Sequence, residues 1–392
     1  MTATTPMTER VHGPPAVLPD SPGAPQTTAL ATRPPELPLQ PVEGMARWLG
    51  RALQPLAFRM ISMVEQRTET MSGPLTPVEG YFRRDRHRHP KVDAATWSLQ
   101  VSGVARPRRF TLDELRALPF EERLCVMECA GNGNHLMGSA GLLGQARWAG
   151  PSLRTVLEAC GGPGAATHFA FHGLDPIPLV RRGYHYGLSL EELTRADALL
   201  AITMNGEPLP RPRGFPLRLV VPGIYSMSHV KWLGHIEGKT APHMGIHNRW
   251  VFTNKHLQDG KWVRVQARWI GLKSMVTRCQ RSDRGWTLTG WAWGGGEAID
   301  GVDVTTDGGQ SWRAATLLQP EGYFPEAPLP QGARAHAWTV WRYDWDAPAA
   351  GEYLVASRAR NVAGVLQAME QDPSVRGHFD QTRVKWRRVV VP

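Results

Sequence analysis

The chain has 392 residues, and its 45 Lys and Arg against 35 Asp and Glu give a formal net charge of +10. This length allows two globular domains, and the 33 prolines, 40 glycines and 15 tryptophans favour short strands and many turns over long helices. The basic residues are mostly scattered arginines rather than Lys/Arg blocks, which argues against nucleic-acid binding and favours an anion held inside the protein.

The N-terminal region is polar and Pro-rich, and residues 1–44 are predicted to form a disordered extension. The apolar stretch 48–64, interrupted by arginines, is too short to span a bilayer and predicts an amphipathic helix within a linker over 45–70. We expect this helix to pack on the main domain, with docking on a membrane surface or a partner as the alternative. Because no export signal is readable, a cytoplasmic location is predicted, with the periplasm as the alternative.

An α+β pattern extends over residues 71–270, where strand-like alternation and helix capping boxes follow one another. The apolar run 124–129 predicts a buried strand that ends in a tight turn. The other predicted strands and capped helices lie, in chain order, at 97–103, 111–114, 151–160, 189–192, 199–204 and 217–221.

Residues 271–392 change character, because short alternating segments separated by turns replace nearly all helix signals. This pattern is typical of an immunoglobulin-like β-sandwich.

The cysteines are Cys125, Cys129, Cys160 and Cys279, too few and too unevenly spaced for a disulfide framework. Cys129 lies at the predicted strand end, before a Gly-rich turn whose backbone can approach a ligand closely, as a soft-metal thiolate requires. Burial in the core is the alternative for any free cysteine, and it suits Cys125 and Cys160. Spacing alone does not select Cys129.

Several motifs resemble the sulfite oxidase family. Glu-Cys-Ala-Gly-Asn at 128–132 resembles its molybdenum-cofactor domain, as do the segments at 146–150, 204–210, 214–218, 221–223 and 229–233. The segments at 290–294, 302–304 and 307–312 resemble its dimerisation domain, and all the motifs occur in the family's order from about residue 76 onward. The resemblance implies an α+β fold in which a molybdenum-cofactor domain precedes the immunoglobulin-like domain, and it implies a homodimer.

The resemblance also implies a molybdenum-molybdopterin cofactor, with Cys129 as the metal ligand and as a catalytic residue. Arg84 and Arg334 are implied to hold the substrate during catalysis. The implied cofactor contacts are Arg84, Asp85, Arg86, Cys129, Asp175, Arg213, Arg218, His229, Val230 and Lys231. A phosphate-bearing pterin needs such cationic and polar partners when it leaves water. A solvated surface position is the alternative for Arg84, Arg86 and Arg213.

The substrate pocket departs from the family pattern. Gly133 and Asn134 occupy positions where the family's sulfite oxidases place arginines, and His135 follows as a replacement charge or a polar loop residue. Arg86 and Arg213 occupy the positions of two expected histidines. The family's active-site tyrosine is not evident, and the nearest positions are Arg249 and Trp250.

The function implied by the resemblance is the oxidation of sulfite, or a related sulfur oxyanion, to sulfate by oxygen-atom transfer. Because the sequence has no Cys-x-x-Cys-His haem site, the electrons are expected to pass to a separate acceptor such as a c-type cytochrome. The alternatives are an S-oxide or nitrate reductase on the same scaffold, and a relative that keeps the fold but binds no cofactor.

Overall fold

A computed structural model describes residues 36–41, 62–64, 74–85, 88–133, 141–175, 183–318, 335–346 and 348–392. Most of the predicted N-terminal extension and linker lies outside these ranges. The two short segments of these regions that are described contain strands. Residues 40–41 form a strand because Leu37 and Leu39 pack beside the C-terminal core, and residues 62–64 form a strand rather than part of a helix.

The described elements are numbered in chain order. The strands before residue 270 are β1 (Gln40–Pro41), β2 (Ser62–Val64), β3 (Arg83–Asp85), β4 (Ser98–Ser102), β5 (Arg108–Thr111), β6 (Phe120–Glu128), β7 (Leu143–Pro151), β8 (His168–Gly173), β9 (His185–Ser189), β10 (Leu199–Ala201), β11 (Thr203–Met204), β12 (Glu207–Pro208), β13 (Arg218–Val220), β14 (Leu233–Lys239), β15 (Thr253–Gln258) and β16 (Lys261–Gln266). The later strands are β17 (Lys273–Ser282), β18 (Gly285–Trp293), β19 (Ile299–Thr305), β20 (Arg313–Ala314), β21 (Thr316–Leu317), β22 (Thr339–Asp346), β23 (Gly351–Asn361), β24 (Val375–Arg376) and β25 (Arg387–Val391).

Helices contribute little to the described structure. The α-helices are α1 (Leu112–Arg116), α2 (Leu153–Ala159) and α3 (Leu190–Arg195), and short 3-10 or π turns lie at Arg211–Arg213, Ser226–Ser228 and His247–Val251. The predicted capping boxes at Thr111 and Ser189 are confirmed. Each hydroxyl accepts from the backbone N–H three residues later, and the glutamate at that position accepts from the backbone N–H of the cap residue. The helical share implied by an α+β class was therefore too large, and the fold is mostly strands.

Two sheets position the functional region. The first has the strand order β5-β4-β14-β8-β9, and the second has the order β12-β11-β7-β6. Strands β6 and β7 pair without a register shift from Phe120↔Pro151 to Glu128↔Leu143. This regular pairing places Cys125, Met127 and Cys129 in one apolar cluster, and Cys129 follows the last paired residue of β6.

The C-terminal strands form two further sheets, with the orders β17-β18-β22-β21 and β1-β25-β23-β19-β20. A buried cluster that includes Leu288, Trp341, Val355 and Val389 joins them. Other residues of the first sheet, among them Trp291 and Trp293, belong to the main core instead. That sheet is therefore buried on both faces, and it connects the C-terminal region to the rest of the molecule. Among the described helices, none has the length and hydropathy needed to cross a membrane.

Candidate active site

A pocket that opens to solvent lies beside the carboxyl end of β6. Concave sites with apolar walls and a few polar groups are where proteins bind small-molecule ligands and cofactors. Its walls come from several separate segments of the chain. The lining residues are Arg84, Asp85, Cys129, Ala130, Asp175, Tyr184, Ser226, Met227, His229, Val230, Lys231, Trp232 and Phe252. The pocket therefore brings together seven of the predicted site residues: Arg84, Asp85, Cys129, Asp175, His229, Val230 and Lys231.

Cys129 begins the turn at the base of the pocket. Its N–H donates to the Leu142 carbonyl at 2.9 Å, and its own carbonyl accepts from the Asn132 N–H at 2.8 Å. The side chain is buried, with 5% of the residue exposed, and the Arg84 Nη1 lies 3.6 Å from its Sγ. The Arg84 guanidinium thus places a positive charge beside this sulfur, and a cysteine sulfur binds metals in its thiolate form.

A second charged group on the wall is the pair of Asp85 and Lys231, whose carboxylate and ammonium are in direct contact. Asp85 Oδ2 also accepts from His89 Nε2 at 2.8 Å, and it forms an ion pair with Arg83 Nε at 2.8 Å. Burial raises the pKa of Asp85, but Lys231 and His89 lower it by more, so the net pKa lies below its ordinary value. Burial lowers the pKa of Lys231 to about 8, although Asp85 opposes that shift. The wall therefore presents a fixed ion pair at neutral pH.

His229 contributes a neutral ring. Its Nε2 lies 3.0 Å from the Ile224 carbonyl, and its Nδ1 accepts from the Val221 N–H at 3.3 Å. Burial, and then the nearby Arg218 guanidinium, lower its pKa to about 3. The ring therefore orients the backbone at 221–224 and carries no charge at neutral pH. Its neighbour Val230 is also buried, and its carbonyl accepts from the Leu219 N–H.

Arg213 and Arg218 do not line the pocket. Arg213 is buried, which makes the surface alternative wrong for it, and it donates to the carbonyls of Val78, Tyr81 and Phe82 at 2.6 to 2.8 Å. Arg218 is also buried, and it donates to the carbonyls of Arg213 and His229. Gly214 separates the two at a φ of 114°, and a Cβ there would lie 3.2 Å from Lys231 Cβ. The two arginines support the pocket from behind.

Several pocket residues were not predicted from the sequence. Tyr184 supplies a phenol that donates to the Met227 carbonyl at 2.6 Å, and Asp175 Oδ1 accepts from the Tyr184 N–H at 3.2 Å. Trp250, one position proposed for the missing tyrosine, is 52% exposed and lies outside the pocket. No short motif marks Tyr184, because only the pairing of β8 with β9 brings it near Asp175.

Some predicted residues are not covered by the described structure: Arg86, Asn134, His135 and Arg334 lie outside it. Cys125 and Cys160 are buried core residues as predicted, and burial raises the pKa of Cys125 to about 12. Cys279 is also buried, in the C-terminal core.

The donor set fits a molybdenum pyranopterin. A soft thiolate for the metal lies beside a cationic Arg84, while Lys231 and Asp175 offer a donor and an acceptor for polar groups of the pterin. Within the described ranges, the buried Nε of Arg84, a residue of the pocket wall, has no hydrogen-bond partner. Buried donors of this kind indicate missing acceptors, as expected where an anionic ligand belongs.

Two family models match the chain. The oxidoreductase molybdopterin binding domain matches residues 86–247, and the Mo-co oxidoreductase dimerisation domain matches residues 272–391. Together they cover both halves of the described structure.

The chain is also similar to named relatives. Mitochondrial sulfite oxidase of Mus musculus is 32% identical over 314 residues, which cover 71% of this chain and 54% of that protein. The NAD(P)H nitrate reductase of Hordeum vulgare is 31% identical over 293 residues, covering 64% of this chain and 32% of that protein. The chain thus spans about half the length of the mammalian relatives it matches, and less of the nitrate reductase.

Among solved structures, the sulfane dehydrogenase SoxCD of Paracoccus pantotrophus aligns with a TM-score of 0.72 and 23% identity. The alignment covers 84% of this chain and 87% of that chain. At this identity the likeness shows a common fold.

Proposed function

Because the chain belongs to the sulfite oxidase family of molybdopterin-dependent oxidoreductases, we propose that it oxidises sulfite, or a related sulfur oxyanion, to sulfate. The balanced reaction consumes one water and releases two protons and two electrons. The observation that carries the proposal is the position of Cys129 Sγ in the pocket, 3.6 Å from Arg84 Nη1. In this proposal the Cys129 side chain binds the metal, and the Arg84 side chain holds an anion beside it.

The residues of the pocket divide the work in this proposal. The bound molybdenum cofactor supplies oxygen-atom transfer and stores the two electrons. Cys129 holds the metal, and Arg84 orients and neutralises the anion, as preorganised positive charge does at such sites. Lys231 and Asp175 bind the pterin, and the Asp85 carboxylate fixes the Lys231 ammonium. His229 orients the protein backbone at 221–224 beside the pterin. We further propose that Arg334 contributes to substrate binding.

The electrons are proposed to leave to a separate acceptor, with a c-type cytochrome as the expected partner. A sulfur substrate is supported by the mouse relative, whose name refers to sulfite. Gly133 stands where the family's sulfite oxidases carry an arginine, so Arg84 bears more of the anion binding here.

The test begins with metal and pterin analysis of the full-length protein from cofactor-competent cells, followed by a sulfite titration of the oxidised form. We expect molybdenum near one per chain and bleaching of a thiolate-to-molybdenum absorption band by sulfite. Cys129→Ser should remove that band and lower turnover by more than the roughly 10–100-fold typical of outer partners of a metal site. The matched control is Cys125→Ser, four residues earlier on β6, which should keep both the band and the turnover. Protein without molybdenum would overturn the proposal.

Reduction of nitrate is a second candidate, because a nitrate reductase is among the relatives. Reductant-dependent loss of nitrate without sulfite-dependent reduction of an artificial acceptor would favour it over sulfite oxidation.

We also propose that the protein is a homodimer and that its second domain has an immunoglobulin-like fold. Residues 71–270 form the cofactor domain, and residues 271–392 form an immunoglobulin-like sandwich through which two copies pair. The dimerisation-domain match supports the pairing. The strand orders β17-β18-β22-β21 and β25-β23-β19-β20 support the sandwich, because they correspond to the two sheets of that fold. A mass of twice 43.4 kDa in light scattering is the expected result.

A further inference from the structure

Glu128, directly before Cys129, carries a carboxylate with no exposed surface. It accepts from Asn132 Nδ2 at 2.9 Å, from Trp293 Nε1 at 2.9 Å, and from Lys273 Nζ at 3.0 Å on each oxygen. A buried carboxylate is costly unless a cation and hydrogen bonds satisfy it. This one is satisfied on both oxygens, so its position is fixed by its partners.

Two of those partners belong to the C-terminal domain. Lys273 begins β17 and Trp293 ends β18, and both are buried. Lys273 Nζ also donates to the Tyr225 hydroxyl at 2.8 Å, and that hydroxyl donates in turn to the Asp380 carboxylate. Since Ser226 and Met227 line the pocket, the network reaches the pocket wall a second time.

The backbone of the Cys129 turn has its own contacts with the C-terminal domain. The Asp380 N–H donates to the Ala130 carbonyl at 2.9 Å, and Lys385 Nζ donates to the Gly133 carbonyl at 3.2 Å. The turn is therefore held on the side chain before Cys129 and on the carbonyls after it. Apart from Asn132 Nδ2, the donors to the Glu128 carboxylate and to the Ala130 and Gly133 carbonyls come from residues beyond 270.

We infer that Lys273, Trp293 and Asp380 are positioning residues for Cys129, acting through the Glu128 carboxylate and the Ala130 carbonyl. The dimerisation domain thus has a second role, which is to set the direction of the metal-binding thiolate. The inference rests on the proposed role of Cys129 as the metal ligand. The residues beyond 270 contribute none of the described pocket lining, yet they would set the position of the Cys129 side chain. Mutation of a residue that orients a metal ligand commonly lowers metal affinity or activity on the order of 10–100-fold.

The test measures alkylation of Cys129 by iodoacetamide in the full-length, cofactor-free protein, with Cys125 as an internal buried thiol, by mass spectrometry. Lys273→Met leaves the buried carboxylate without its cation, and we expect the Cys129 labelling rate to change on the order of tenfold. The double variant Glu128→Gln/Lys273→Met removes the unpaired charge and should return most of the rate toward the wild-type value. The control is Arg358→Met, which breaks the Asp303 pair at 3.1 Å in the same domain and should leave the rate unchanged.

A wild-type labelling rate in folded Lys273→Met, or an equal change in Arg358→Met, would overturn the inference. If Lys273→Met fails to fold, Glu128→Gln gives the decision, because it keeps the shape of the side chain and removes its charge. We expect a few-fold change in its Cys129 rate, and no change would overturn the inference. In metal-loaded protein, the thiolate-to-molybdenum band should shift in Glu128→Gln and not in Arg358→Met. Because labelling needs no cofactor, its outcome is separate from whether the chain binds molybdenum.

Discussion

The pocket wall and the core between the C-terminal sheets bury different kinds of groups. Asp85, Asp175 and His229 are almost fully buried around the pocket, whereas the sandwich core is built from apolar side chains such as Trp341 and Val389. Burying charge costs free energy that only specific partners offset, while burying apolar surface stabilises the fold directly. The difference indicates that one region is organised for chemistry and the other for stability, and changes in each should therefore affect different measurements.

The largest effect is expected from Arg84→Met, which removes the cation beside Cys129 Sγ while keeping a long side chain. Loss of one preorganised charge partner should lower kcat/KM for sulfite about 10²–10³-fold in steady-state acceptor reduction. Arg108→Met, which breaks an exposed ion pair with Glu114, is the control and should change kcat/KM little. A less than threefold loss in Arg84→Met would show that the anion is held elsewhere.

Two adjacent valines on β25 test how much the core between the C-terminal sheets contributes to stability. Val389 is fully buried in the sandwich core, and Val390 is 51% exposed. Val389→Ala should lower the free energy of unfolding by about 2 kcal/mol, from two lost methyl groups and a cavity, while Val390→Ala should change it by less than about 0.5 kcal/mol. Urea denaturation measures both. The thiolate-to-molybdenum band should not move in either variant, and a shift would break the separation between the two regions.

A further expected effect concerns the pH dependence of stability. The pKa of His229 is lowered to about 3 in the folded protein, so between about pH 6.5 and 3 the unfolded chain binds a proton that the folded chain does not. Stability from this residue is therefore present above pH 6.5 and is lost as the pH falls, by up to roughly 1.4 kcal/mol per pH unit.

His229→Gln should accordingly lose less stability than the wild type when urea unfolding is repeated from pH 7 to pH 4. The exposed His378→Gln is the comparison variant and should follow the wild-type curve. Equal slopes for wild type and His229→Gln would mean that the ring is not held neutral.

Local sequence signals predicted much of this structure. The capping boxes and the strands predicted over 124–129, 199–204 and 217–221 depend on residues close in sequence or on clear alternation, and the structure contains all of them with small shifts of their ends. The candidate site was harder. The motif around Cys129 placed that residue in the pocket, but Tyr184 and Phe252 carry no motif and reach the pocket only through strand pairing.

Arg213 shows why residue type alone is a weak guide. From sequence it was a cofactor contact or a solvated side chain, yet the turn at Arg211–Arg213 directs it inward. There it donates to three backbone carbonyls in the segment 78–82, more than 130 residues earlier in the chain. Nothing in the sequence near Arg213 reveals those acceptors, because they become available only when the earlier segment folds against it.

The ion pair between Glu128 and Lys273 also has a consequence for the timing of biosynthesis. The two residues are separated by 145 positions, so at about 5–20 residues per second the ribosome adds Lys273 roughly 7–30 s after Glu128. During that interval the nascent first domain contains Glu128 but lacks the Lys273 ammonium that neutralises its carboxylate. This ion pair can therefore form only after the start of the second domain has emerged from the exit tunnel.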